Sequence, residues 1–108
     1  MARNKFGAIP TTYKGIKYHS KKEAEYAKKL DLLVKAKKIS SWTRQIPYPL
    51  VVNGKKIANY IMDFEVVTND GTRQLIEVKG YETQVWKIKW KLIQALYTAP
   101  GIEFVLEK

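Results

Sequence analysis

The spacing of apolar residues divides the chain into two helical stretches and a block of strands. From Tyr13 to His19 the string YKGIKYH alternates about Gly15 and suits a short strand or hairpin. The polar segment before it, to about Pro10, is expected to be loose. Ser20-Lys21-Lys22-Glu23 is a capping box, in which serine and glutamate satisfy each other's free backbone N–H groups. The helix it opens is expected to run to about Lys38, with Ala27, Leu30 and Val34 as its inward stripe, flanked by Tyr26 and Leu33. Glu23 falls on that stripe, whereas Glu25, about 200° around the helix, should face water. Lys21, Lys28 and Lys35, with Lys22 and Lys29 beside them, form the outer face, either a solvated face or a ridge that contacts phosphates.

After Ile39 the period shortens to that of strands. Trp42 to Val52 carries Pro47 and Pro49 and reads as an edge strand or two short pieces. Asn53-Gly54 is a two-residue hairpin signal. The β-rich run Lys56 to Thr68 follows, turned back by Asn69-Asp70-Gly71 into a strand from Gln74 to Lys79. Thr83 caps a second helix to about Tyr97, with Val85, Ile88, Leu92 and Leu96 as the expected inner stripe. Pro100-Gly101 ends it, and Ile102 to Leu106 is a last apolar strand. A strand, a helix and a strand in so small a domain make a right-handed crossover with parallel strands. The expected fold class is therefore α/β, in the order αβββαβ with a short leading strand, as a mixed sheet flanked by helices.

Composition bounds what such a domain can do. At 108 residues the chain is read as a single domain, residues 1–108, and 45% apolar residues suffice for its core. It has no cysteine and one histidine, His19, so thiolate zinc and histidine-rich metal sites are excluded and any metal must be a hard cation on oxygen ligands. Lysine and arginine number 20 against 10 acids, a net charge of +10, which points to a polyanionic partner, above all nucleic acid, against a plain role in solubility. The start MARNKFGAIPTTY lacks an apolar signal segment, and no run approaches the roughly 20 apolar residues of a membrane span. A cytoplasmic location without membrane contact is the expectation.

The candidate chemistry lies in the strands. Asp63 interrupts the apolar run Tyr60-Ile61-Met62-Asp63-Phe64, where a carboxylate is costly without a partner or a metal. Glu77 and Lys79, two apart in Leu75-Ile76-Glu77-Val78-Lys79-Gly80, point to one face. If antiparallel pairing brings Asp63 level with Glu77, two carboxylates and an ammonium meet. Such a pair suits magnesium, with the backbone carbonyl of Val78 as a further ligand, and Lys79 could orient water or neutralise charge developing on a phosphodiester. The alternative is a structural ion pair.

Asp63…Glu77-Val78-Lys79 resembles the D…(D/E)-x-K motif of the PD-(D/E)XK nuclease superfamily, and the element order is similar to its restriction-endonuclease-like core. More closely, the chain from Tyr13 onward resembles small phage and prophage proteins grouped with Holliday-junction-resolvase-like nucleases. The strings Tyr18-His19-Ser20-Lys21-Lys22-Glu23-Ala24, Met62-Asp63-Phe64, Ile76-Glu77-Val78-Lys79-Gly80 and Thr83 through Lys89-Trp90-Lys91-Leu92 carry that likeness. Ile61-Met62 stands where the superfamily name has a proline. The resemblance implies a divalent-metal phosphodiesterase, with Asp63 and Glu77 as metal ligands, Lys79 as the catalytic lysine and Glu23 as a helix-borne acid added to the site. Glu23 could equally be only the capping partner of Ser20.

Other residues refine the expectation. Lys89, flanking the inner stripe of the second helix, could reach a scissile phosphate or snorkel from the core edge. Lys87 and Lys91, four apart with Trp90 beside them, could contact backbone and bases. Gln45 matches a polar position of the resembled family and could touch the site, or be solvated. Trp42 and Trp86 read as core, and His19 as a surface residue. The expected function is a magnesium-dependent endodeoxyribonuclease, manganese able to substitute, acting on branched or structured DNA in phage recombination, replication or packaging. A homodimer is compatible with this reading. The rivals are a non-specific DNA and RNA nuclease and a non-catalytic basic nucleic-acid-binding protein.

Overall fold

A computed structural model describes residues 9–108; most of the segment expected to be loose lies outside the described residues. The chain forms two compact units, one ending at Lys38 and one running from Ile39 to Lys108.

In the first unit β1 (Thr11–Tyr13) and β2 (Ile16–Tyr18) pair antiparallel across Lys14 and Gly15, both at positive φ, 49° and 77°. α1 (Lys21–Lys35) follows. The serine half of the predicted capping box is present, Ser20 Oγ accepting from the Glu23 N–H at 3.1 Å, while the Glu23 carboxylate meets the Ser20 hydroxyl, 3.4 Å from Oε2. The hairpin is tied to this helix through Asp31, whose carboxylate accepts from Tyr13 Oη at 2.6 Å and faces Lys14 Nζ at 3.3 Å. Buried on α1 are Glu23, Ala24, Ala27 and Leu30. Val34, expected on the inward stripe, is exposed, and the helix stops at Lys35 rather than Lys38. Lys37 enters the left-handed region at φ 59°, and the Ala36 and Lys38 N–H groups fold back onto Leu32 and Leu33 carbonyls. That termination satisfies orphan carbonyls of the last turn.

The second unit is a four-stranded sheet in the order β3 (Ile39–Val52), β4 (Lys55–Thr68), β5 (Arg73–Val78), β6 (Ile102–Glu107), with α2 (Gln84–Tyr97) between β5 and β6. The fold class is therefore α/β with the element order αβββαβ and a leading hairpin. β3 is a single long edge strand, consistent with its prolines. It meets β4 at Val52↔Lys55, leaving Asn53 and Gly54 as a two-residue turn at φ 50° and 76°. Positive φ at both positions is the primed turn that asparagine and glycine favour. β4 and β5 are antiparallel, β5 and β6 parallel. Leu50, Tyr60, Met62, Leu75, Trp86 and Ile93 form the core where α2 packs on the sheet.

The inner face of α2 differs from the expected one. Leu92 of the expected stripe packs against the core, but so do Trp90 and Tyr97, with Trp86 and Ile93 buried, whereas Val85 and Ile88 are 64% and 65% exposed and Leu96 is also exposed. Both sets have helical spacing, so period alone could not choose between them. The larger aromatic surface goes inward, because burying it removes more apolar area from water. Among the described residues no helix is long and apolar enough to cross a membrane.

Candidate active site

Asp63 and Glu77 come together at the end of the β4–β5 ladder. The ladder closes with Glu65↔Leu75 and Phe64↔Ile76, so one further step places Asp63 level with Glu77, on the face that Leu75 shares with the core. Asp63 Oδ2 accepts the Val78 N–H at 2.8 Å, so a side chain continues the ladder where strand-to-strand backbone pairing stops. That bond fixes the carboxylate's direction. Asp63 and Glu77 are 8% and 6% exposed.

Glu77 is held from two sides. Tyr60 Oη donates to Glu77 Oε1 at 2.8 Å, and Trp86 Nε1 donates to Tyr60 Oη at 2.9 Å. Burial, and then the charge of Glu77, pushes the Tyr60 phenol well above its ordinary pKa, so it remains a protonated donor. Lys79 Nζ stands 3.8 Å from Glu77 Oε2 and 5.0 Å from the centre of the Trp86 ring, with a quarter of its side chain exposed. Its backbone N–H donates to the Glu107 carbonyl at 2.8 Å, pinning the turn after β5 to β6. The N-cap of α2 orients Trp86 in turn: its backbone N–H donates to Thr83 Oγ1 at 3.0 Å.

β4 reaches this site through an irregularity. Its residues 62–64 are all buried, which breaks strict alternation. Tyr60 and Met62 both belong to the core with Leu75, yet Leu75 pairs with Glu65, not with Phe64. The face therefore slips between Met62 and Asp63. Across the sheet, Arg44↔Phe64 and Ile46↔Met62 are paired while Gln45, the residue between them, has φ 53°. A non-glycine residue in the left-handed region inside a strand is a bulge-like distortion that re-aims side chains, and such distortions cluster at functional sites. Here it lets Asp63 turn toward the face of Glu77 without expelling Met62 from the core.

The structure thus gathers Asp63, Glu77 and Lys79, with Val78 between them supplying its N–H to Asp63. Gln45 is half-buried on the strand next to Asp63. Lys87 and Lys91 are exposed on α2, and half-buried Lys89 lies three residues after Trp86 and four before Ile93, on the inward side. Glu23 is buried in the first unit, at the α1 cap. Sequence reasoning missed Tyr60, whose phenol links Trp86 to Glu77. An isolated tyrosine three residues before an aspartate carries no recognisable spacing, and only the pairing of the strands reveals it.

Two carboxylates sharing a face with a backbone carbonyl between Glu77 and Lys79 fit a magnesium ion, which commonly takes one or two protein carboxylates and completes its shell with water. Among the described residues no cluster of three or more Asp, Glu, His or Cys side chains forms a fuller cage.

Fold and site define a small α/β protein with a buried carboxylate pair beside a lysine at the end of a central strand. The chain belongs to the family described as protein of unknown function (DUF1064), which its residues 3–106 match. No curated protein and no solved structure matches it significantly.

Proposed function

We propose that this protein is a metal-dependent endodeoxyribonuclease that hydrolyses phosphodiester bonds in branched or otherwise structured DNA. The observation that carries the reading is the convergence of buried Asp63 and Glu77 with the loosely paired Lys79. A fully closed ion pair would be structural cement; an ammonium 3.8 Å away, partly open to solvent, remains available to a substrate. The net charge of +10 suits a polyanionic substrate, and the resemblance to PD-(D/E)XK nucleases assigns the same residues to this chemistry. A bacterial cytoplasm, in a phage or prophage setting, is the location this reading implies.

Asp63, Glu77 and the Val78 carbonyl would hold magnesium, or manganese in its place, supplying Lewis acidity and a water acidified for attack on phosphorus. Tyr60, itself fixed by Trp86, orients the Glu77 carboxylate. The Val78 N–H does the same for Asp63. Lys79 approaches the reacting phosphate from the open side of the site and offsets negative charge developing on its oxygens. Trp86 and the core beneath it keep bulk water from the buried side of the carboxylates, which strengthens each of these interactions.

The test is a substrate panel of duplex, single strand, flap, four-way junction and RNA, assayed with magnesium and with EDTA. Metal-dependent cleavage of DNA, strongest on structured substrates, is the expected result. Cleavage undiminished in EDTA, or none with magnesium, overturns the reading.

A further inference from the structure

Beside the candidate site, the first turns of α2 and the end of β6 enclose a cleft of about 290 Å³, lined among others by Glu82, Trp86, Lys87, Ile88, Trp90 and Leu106. Two lining residues, Trp86 and Leu106, connect the cleft to the carboxylates. Leu106 pairs with Glu77 across the β5–β6 ladder, so both lie on one face of the sheet. Trp86 belongs to the cleft, carries Lys79 over its ring and bonds to the phenol that holds Glu77.

Its wall is aromatic and preorganised. The Trp90 ring stacks on Trp86 at 5.7 Å and 20°, meets Phe104 edge-on at 5.9 Å and lies 6.1 Å from Tyr60. A ring braced by three others keeps its orientation whether or not a ligand is present. Ile88 lines the same cleft yet is 65% exposed, an apolar surface left open to water. The rim is cationic. Lys87 and Lys91 stand one helical turn apart, and Glu82, the acid among the lining residues, is bound by Lys108 at 2.9 Å. The occupant that fits must offer a flat apolar face and carry negative charge at its edge. An unpaired nucleotide does both: its base stacks on indole while its phosphates meet lysines. A paired base inside a duplex presents no free face to such a wall.

We propose that this cleft seats one unpaired nucleobase of the strand delivered to Asp63, Glu77 and Lys79, which makes DNA with single-stranded character the preferred substrate. The identity of the strand rests on the nuclease reading, whereas base capture by the cleft does not require catalysis. The position of the cleft sets where cleavage falls, adjacent to the captured base.

The experiment compares a perfect duplex, the same duplex with a short single-stranded flap, and that flap carrying abasic sites, which keep the phosphates and remove the bases. Binding is followed in EDTA by fluorescence anisotropy and by tryptophan emission. The flap with bases should bind about tenfold tighter than the abasic flap and quench tryptophan, since base–aromatic stacking typically contributes that much. Ile88→Glu places a carboxylate in the cleft from an exposed position and should erase the preference for bases. Trp90→Ala should do the same where the fold survives. Equal affinity for the flaps with and without bases, or a preference untouched by Ile88→Glu, overturns the proposal. Magnesium-dependent cleavage without any base preference refutes the cleft and leaves the nuclease reading standing. A base preference without cleavage in any metal refutes the nuclease reading and leaves the cleft.

Discussion

Glu65 and Glu77 lie on adjacent strands and are furnished alike: each accepts a tyrosine hydroxyl and faces a cation. Around Glu65 the set is closed. Tyr48 Oη donates at 2.5 Å and Arg73 Nη2 at 2.6 Å, and the hydrogen bond to Glu65 raises the Arg73 pKa. Around Glu77 the tyrosine is as well placed, but the cation is a lysine 3.8 Å away, and the carboxylate is more deeply buried. One short arginine contact on Oε1 and the tyrosine on Oε2 engage both oxygens of that carboxylate and leave little for a ligand. A longer lysine contact over a buried carboxylate leaves charge to be used. The same residue types therefore make a closed fastening in one place and an open set in the other, and the distance to the cation distinguishes them.

Breaking the Glu77 set should have the largest effect. Glu77→Gln and Asp63→Asn keep acceptors for Tyr60 and Val78 while removing charge, so the fold should persist and cleavage should fall by about a thousandfold. Thermal melts in chelator should show these variants no less stable than the parent, because a buried charge is costly when no metal compensates it. Lys79→Ala should abolish cleavage to a similar extent with metal binding retained, measured by calorimetry. Parent-level turnover in Lys79→Ala would make the two sets equivalent.

The tyrosines give a sharper contrast. Tyr60→Phe removes the donor to Glu77 and strands the Trp86 indole N–H, so activity should drop about 10- to 100-fold, with a stability loss of about 1–3 kcal/mol. Tyr48→Phe should lower stability by about 1 kcal/mol and leave turnover alone. Equal turnover losses in both would erase the distinction. Arg73→Gln should be milder, below about 1 kcal/mol in denaturant melts, since the arginine is largely exposed. The smallest effect belongs to Asp70, whose carboxyl is lowered to about 2 by the Thr68 hydroxyl and then by the Thr72 backbone N–H. A depressed folded-state pKa means that its contribution is present above the unfolded carboxylate value of about 4 and lost as pH falls toward 2. Parent and Asp70→Asn melting temperatures should converge across that interval with no accompanying change in cleavage at neutral pH.

Much of this arrangement could be read before any coordinates. Capping residues, the Asn53-Gly54 turn and the proline-bearing edge are local signals, and local chemistry dictates them. Glu23 and Glu25 separate as their helical phase requires, one buried and one exposed. The choice between the stripes of α2 could not be read, since Val85, Ile88 and Leu96 are as regularly spaced as Trp86, Trp90 and Ile93. The larger apolar area of the tryptophans favours their set, a difference of size that the period does not register. Tyr60 and the distortion at Gln45 were hidden for a related reason: each matters through a residue on another strand, and a one-dimensional pattern holds no register.

The prolines of β3 have a consequence for assembly. Pro47 and Pro49 are exposed on an edge strand of the sheet, and neither has an N–H to donate. Because both tolerate pairing with β4, their missing donors belong on the outer edge. A foreign strand seeking to extend the sheet there meets two gaps in the row of donors, two residues apart, along a stretch otherwise long enough to template fibrils. Neighbouring copies are thus discouraged from zipping together edge to edge through that stretch.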